Sequence, residues 1–358
     1  MKKQFLVVTA PVANLRKEPV DASTEHACDN LQETQLFYNE CLLYKDENEG
    51  WYSVEAVEQK KTTPQGNWQG YPGWIQKTSA VFVNTWPVFN AVVKHTQATI
   101  LKDLLGKADS LLTLSIGTRL SIKEERNDDY NKATFTNGQK GWIKKDAVNI
   151  SVPVVNTGSL RENIIETAKL FLSMPYLWGG RSAYMPDKAQ EAGCRIRGAV
   201  TQSSRAQMED GRRTPRHCTR GQASNFESAT AREDRPETIL TGVDCSSLTN
   251  LAYRVNWLDI PRDAHDQRGA STEIAYDTLE PADLIFVSAE DAHDKITHVM
   301  IYLTGEEFIE ALETGSVVTI NTFKNKFGVT IHEAVRQHFI VNKRKMYFGS
   351  ILIADGQK

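Results

Sequence analysis

The sequence predicts two small all-β barrels followed by an α+β domain with a long polar insertion. Three observations carry that prediction. Residues 4 to about 84 alternate short β-rich runs with turn residues, residues 87 to about 150 repeat the pattern more weakly, and the remainder switches to helical spacing before returning to strands. At 358 residues the chain is too long for one average domain, and boundaries at 1–84, 85–152 and 153–358 follow.

In the first unit the runs are Phe5-Leu6-Val7-Val8, Gln35-Leu36-Phe37-Tyr38, Trp51-Tyr52-Ser53-Val54 and, after Gly70-Tyr71-Pro72-Gly73, Trp74-Ile75. Many short strands with turn residues between them suggest a small barrel. In the second unit Val92-Val93-Lys94, the run from Thr113 to Leu120, and Gly141-Trp142-Ile143 supply the same elements. The third unit opens with a helix. Ser159 and Glu162 form an S-x-x-E capping box, and Ile164, Ile165, Ala168, Phe171 and Leu172 place an apolar stripe at helical spacing. That stripe is core rather than a cofactor site. A second helix carries Leu248-Thr249-Asn250-Leu251-Ala252-Tyr253, and strands are expected near 283–288, 297–303, 307–312 and 346–353.

One stretch departs from both periods. About 60 residues from Ala183 to Val243 are polar, Arg-rich and Ser/Thr-rich. They read as a mobile or disordered surface insertion, with a gating lid as the functional alternative.

Composition narrows the class. A hydrophobic fraction of 40% and a net charge of −3 fit a globular protein with no push toward nucleic acid or an anionic membrane. No apolar run approaches the ~20 residues of a membrane span. Phe5-Leu6-Val7-Val8 is too short for a signal-peptide core and reads as a first strand. The five cysteines have no repeated spacing, which fits a reducing, cytoplasmic location, with export as the alternative. Cys194, His217 and Cys218 match no zinc pattern, so neither metal nor cofactor is expected.

The chemistry centres on Cys245, in Gly242-Val243-Asp244-Cys245-Ser246-Ser247-Leu248. It stands at a helix N-terminus, where free N–H groups and the positive dipole end favour thiolate. Downstream, Thr297-His298-Val299-Met300-Ile301-Tyr302 places a histidine at the start of a strand. A thiol and an imidazole so carried are the parts of a cysteine hydrolase, although a lone cysteine at a helix start is more often a small buried hydrophobe.

Five segments, in order, resemble the NlpC/P60 cysteine peptidases. They are Pro175-Tyr176-Leu177-Trp178-Gly179-Gly180-Arg181-Ser182, Asp244-Cys245-Ser246-Ser247-Leu248, Ile260-Pro261-Arg262-Asp263-Ala264-His265-Asp266-Gln267, Pro281-Ala282-Asp283-Leu284-Ile285-Phe286, and the His298 strand. The resemblance implies a papain-like arrangement in the third unit. The run from Val8 to Arg16 and Gly70-Tyr71-Pro72-Gly73-Trp74-Ile75 resemble the opening and closing strands of bacterial SH3 (SH3b) domains. Two SH3b modules before this peptidase domain resemble the γ-D-glutamyl-L-diamino-acid endopeptidases that trim cell-wall peptides.

By that resemblance Cys245 is the nucleophile and His298 holds a thiolate–imidazolium pair and protonates the leaving amine. The Cys245 amide and Tyr176 would form the oxyanion hole, although Tyr176 equally fits a core aromatic. The family's third residue, usually histidine, falls on Glu310, which would orient His298 and strengthen the ion pair unless it simply faces solvent. Glu33 and Tyr71, with Asp244 and Ser246, would bind a free α-amine of the substrate, against the plain reading of a turn acid and a barrel aromatic. The serine expected at Ala264 is missing, and Arg262 with Asp263 reads as a structural pair, with binding of the substrate carboxylate as the alternative. The implied activity is hydrolysis of the γ-D-Glu–diamino acid bond in peptides released during wall turnover. Hydrolysis of intact stems, or peptidoglycan binding without catalysis, are the rival readings.

Overall fold

A computed structural model describes residues 3–21, 29–104, 109–123, 127–151, 157–184 and 240–352. Most of the predicted insertion, with Cys28, Cys194, His217 and Cys218, lies outside these residues.

The first unit is a seven-stranded antiparallel sheet of β1 (Phe5–Val8), β2 (Val12–Arg16), β3 (Gln32–Phe37), β4 (Cys41–Asn48), β5 (Trp51–Thr62), β6 (Trp68–Gln76) and β7 (Ala80–Val83). Alternating side chains, among them Leu6, Val8, Leu15, Leu42, Val54 and Ile75, fill its interior. The second unit repeats it with β8 (Ala91–Val93), β9 (Gln97–Leu101), β10 (Ser110–Ser115), β11 (Arg119–Lys123), β12 (Tyr130–Thr134), β13 (Lys140–Lys144) and β14 (Val148–Ile150). The strand orders are β3-β2-β6-β5-β4-β1-β7 and β10-β9-β13-β12-β11-β8-β14, the same path traced twice.

The third unit contains α1 (Thr157–Lys169), the strand pair β15 (Arg181–Ser182) and β16 (Gly242–Val243), α2 (Cys245–Arg254) and α3 (Ala264–Ala270). Its sheet follows: β17 (Thr272–Glu273), β18 (Leu284–Ala289), β19 (Ala292–Thr304), β20 (Glu307–Glu310) and β21 (Thr319–Thr322). The chain closes with α4 (Phe323–Phe327), α5 (Ile331–Arg336), β22 (Ile340–Val341) and β23 (Arg344–Ser350). The sheet runs β17-β23-β18-β19-β20-β21, with β22 beside β23. Its faces alternate as strand geometry requires. Leu284, Phe286, Val299 and Ile301 pack with α1 and α2, whereas Ile285, Val287, Met300 and Tyr302 pack with Phe323 of α4 and Ile331 of α5.

Every residue of α2 is buried. Val12 and Phe37 of the first sheet and Ile116 after β10 join the core around it, so the helix is enclosed by all three units. Gly117 makes that approach feasible: its φ is +86°, and a Cβ there would lie 2.8 Å from Leu251 Cδ2 and 3.1 Å from Phe37 Cε2.

Two sequence expectations at α1 are corrected. The helix begins at Thr157, so Ser159 lies inside the first turn instead of capping it. It ends at Lys169, so the helical stripe stops after Ala168; Phe171 is buried from the following turn, but Leu172 is 40% exposed. The ends of the predicted insertion also belong to the body, because Gly242 and Val243 pair with Ser182 and Arg181 and Ala183 is buried.

Candidate active site

Cys245 is the first residue of α2. Asp244 caps the helix by accepting the Ser247 N–H at 2.8 Å, while the Ser247 hydroxyl accepts the Asp244 N–H at 2.9 Å. The sulfur takes backbone hydrogen bonds from Val299 and Ser246, which sets it beside the residue that follows His298. Burial first, and then the Asp244 charge, pushes the thiol up to about 12, outweighing the backbone donors and Arg262. The dipole argument from sequence is thereby overridden by desolvation.

His298 and Glu310 face each other across β19 and β20, with His298 Nε2 2.7 Å from Glu310 Oε2. Glu310 is fully buried, which removes the solvent-facing alternative. It also accepts from Asn321 Nδ2 at 3.0 Å and Lys326 Nζ at 2.5 Å. Burial alone would raise this carboxyl, but the hydrogen bond and charge of His298, with Lys326, bring it down to about 2. An ionised carboxylate only accepts, so His298 Nε2 carries the proton and Nδ1 is left as the bare, proton-accepting nitrogen. Burial and then the Lys326 charge hold His298 below its ordinary value, although the Glu310 hydrogen bond pulls the other way. Burial thus works against the thiolate–imidazolium pair expected from sequence, while Glu310 favours it. After burial, Lys326 is the largest influence opposing Glu310 at the ring, and no motif in the sequence marked it.

Tyr176 lies beside this centre in a parallel bridge to Val243. Burial, then the neighbouring Cys245 and Asp244, raises its phenol, which stays a proton donor. Next to it, Gly179 has φ +64°, and a Cβ there would sit 2.7 Å from the Gln32 carbonyl oxygen of the first sheet. Only glycine permits that contact.

Asp244 and Ser246, expected beside the substrate amine, are both held by Arg262. Arg262 donates to Asp244 through Nη1 at 3.0 Å and Nη2 at 2.7 Å, and to Ser246 Oγ at 2.9 Å. The Ser246 hydroxyl and the Ser247 amide also donate to Asp244 Oδ1, while Oδ2 takes the Arg262 bond at 2.7 Å. The sequence pairing of Arg262 with Asp263 is likewise corrected. Asp263 turns instead to Tyr71, whose hydroxyl is 3.2 Å from both carboxylate oxygens and 3.1 Å from Glu33 Oε2. Arg262 Nε donates to Thr34 Oγ1 at 2.8 Å, tying the residue beside Glu33 to the cap of the nucleophile helix. Glu33, Tyr71 and Asp263 thus form one acidic cluster, tied through Arg262 to Asp244, the residue before Cys245.

The first sheet reaches this point through an irregularity in β5. Its register with β6 jumps from Ala56–Tyr71 to Lys60–Gly70, leaving Val57, Glu58 and Gln59 bulged. Glu58 accepts from Arg254 at 2.7 Å, and Gln59 donates to Glu40 at 3.0 Å. Beyond the bulge the Lys60 carbonyl accepts from the Arg262 N–H, and Thr62 bonds Asp266. Glu40 and Arg181 form a fully buried pair at 3.1 Å. Among the described residues no three His, Cys, Asp or Glu side chains group as metal ligands.

Residues 226–336 match the NlpC/P60 family model. The chain is 26% identical over 315 residues to a gamma-D-glutamyl-L-lysine dipeptidyl-peptidase of Bacillus subtilis (strain 168), covering 87% of this chain and 82% of that protein. It is 22% identical over 308 residues to the Bacillus cereus protein of the same name, covering 82% and 72%. A solved NlpC/P60 family protein from Bacillus cereus ATCC 10987 superposes with a TM-score of 0.68 at 18% identity, over 98% of this chain and 100% of that one, a likeness of fold. Residues 226–336 of this chain form an NlpC/P60 domain, and over most of its length the chain is similar to peptidases.

Proposed function

We propose that this protein hydrolyses the γ-D-glutamyl–diamino acid (meso-diaminopimelate) bond of peptidoglycan-derived peptides that carry a free N-terminal L-Ala, as part of cytoplasmic cell-wall turnover. The observation that carries the reading is the Glu33–Tyr71–Asp263 cluster, joined through Arg262 to the helix that bears Cys245. Two carboxylates around a phenol suit an ammonium, and their distance from the nucleophile along a bonded chain would measure a fixed stub of substrate. Removing a dipeptide, the activity in the relatives' names, calls for that kind of measure. We read the two N-terminal sheets as SH3b modules, on their shared strand order and their opening and closing motifs, and the third unit as papain-like.

In this reading His298 Nδ1 takes the thiol proton as Cys245 attacks the γ-carbonyl carbon. The Cys245 N–H and the Tyr176 hydroxyl stabilise the oxyanion. Collapse breaks the C–N bond, His298 returns the proton to the leaving amine, and water then hydrolyses the thioester. Incubation with L-Ala-γ-D-Glu-meso-diaminopimelate and its N-acetylated form, followed by mass spectrometry, tests the proposal. Cleavage of the free-amine peptide alone, abolished in Cys245→Ala, is expected. Cleavage of both forms would favour a hydrolase of intact stems, and cleavage of neither would leave a binding protein.

A further inference from the structure

The acidic cluster already holds a cation. Lys61 follows the bulge in β5, and its Nζ lies 3.0 Å from Asp263 Oδ2, 3.1 Å from the Tyr71 hydroxyl and 4.3 Å above the centroid of the Tyr71 ring. A carboxylate, a phenol oxygen and an aromatic face are the three groups that recognise an ammonium, and one ammonium occupies all of them. It arrives there because β5 is long: β5 has 12 residues, whereas β12, the equivalent strand of the second sheet, has 5. The pair is not locked in. The side chains of Lys61 and Asp263 are 31% and 34% exposed, so the lysine can swing into solvent without leaving a charge buried.

We propose that Lys61 is a built-in competitor for the substrate's α-ammonium and thereby a determinant of KM, an inference that rests on the amine-pocket reading above. A substrate ammonium at Tyr71 and Asp263 meets a second cation one hydrogen bond away, so binding requires that Lys61 withdraw. The penalty falls on binding rather than on bond cleavage, because the pocket lies away from the scissile bond.

Steady-state kinetics of the full-length protein with L-Ala-γ-D-Glu-meso-diaminopimelate test this. Lys61→Met is expected to lower KM about fivefold, the equivalent of displacing one half-exposed ion pair, while kcat moves little. Lys61→Arg keeps the cation and should keep the high KM, and circular dichroism of both variants reports folding. A raised or unchanged KM in a folded Lys61→Met protein overturns the inference while leaving the amine reading intact, provided the wild type still spares the N-acetylated peptide. If the wild type cleaves both peptides, or if neither wild type nor Lys61→Met cleaves either, the amine reading fails and this inference fails with it.

Discussion

The two N-terminal sheets follow one strand order, yet they meet the NlpC/P60 domain in different ways. The first supplies Glu33, Lys61 and Tyr71 beside the reactive centre and buries Glu40 against Arg181. The second meets the far end of α2, where the Gly117 carbonyl accepts from Arg254 and Arg119 pairs with Asp259 at the rim. The difference lies in the β5–β6 hairpin, longer than its β12–β13 counterpart and interrupted by the bulge at Val57–Gln59. With the strand order the same in both sheets, the longer hairpin is what carries Lys61 and Tyr71 to the third unit.

The strongest way to break the comparison is Glu40→Ala in the first sheet. Among the described residues Glu40 is the only carboxylate bonded to the fully buried Arg181, so the variant strands a charge and should lose about 3–5 kcal/mol, read by urea denaturation. A loss below 1 kcal/mol would mean that the first sheet is no more tightly coupled than the second.

Lys326→Met separates the catalytic layer from both sheets. Lys326 is second only to burial in holding His298 low. Its removal should move the acid limb of kcat/KM upward, toward the ordinary histidine value of 6.5, with activity at alkaline pH largely kept. An unmoved limb would make Lys326 a purely structural partner of Glu310. The sign for stability is separate. Glu310 titrates near 2 in the fold against an ordinary 4.5, so its contribution is full above pH 4.5 and is lost as the pH falls toward 2.

The smallest effect is expected for Arg119→Met in the second sheet, about 1 kcal/mol or less by thermal denaturation, with activity unchanged. Glu58 keeps Arg254 at 2.7 Å, and Asp259 keeps Arg254 at 3.6 Å, so no partner is orphaned. A loss matching that of Glu40→Ala would erase the distinction between the sheets.

The parts legible in the sequence were those carried by local pattern. Cys245 opens its helix, His298 sits in its strand, and Glu310 faces His298 because β19 and β20 are antiparallel neighbours. What was not legible depends on distant chain. Arg262, 18 residues from Asp244, takes the acceptors that the amine pocket was expected to use. Lys326, 16 residues from Glu310, comes from a five-residue helix with no motif of its own. Lys61 reaches Tyr71 only after a bulge shifts the register, and alternation in the sequence does not announce such a shift. The upward shift of the thiol likewise follows from burial among residues of all three units, which overrides the helix N-terminus.

The buried arginines also bear on how the chain acquires its structure. Arg181, Arg254 and Arg262 belong to the third unit, and each is neutralised or hydrogen-bonded by the first unit through Glu40, Glu58 and Thr34. An excised C-terminal domain would expose or strand these three side chains together with the apolar surface that meets Phe37 and Val12. The nucleophile helix therefore has no autonomous folding unit of its own. Three segments that are separable along the chain are expected to unfold together, with the helix that bears Cys245 relying on a sheet some two hundred residues earlier.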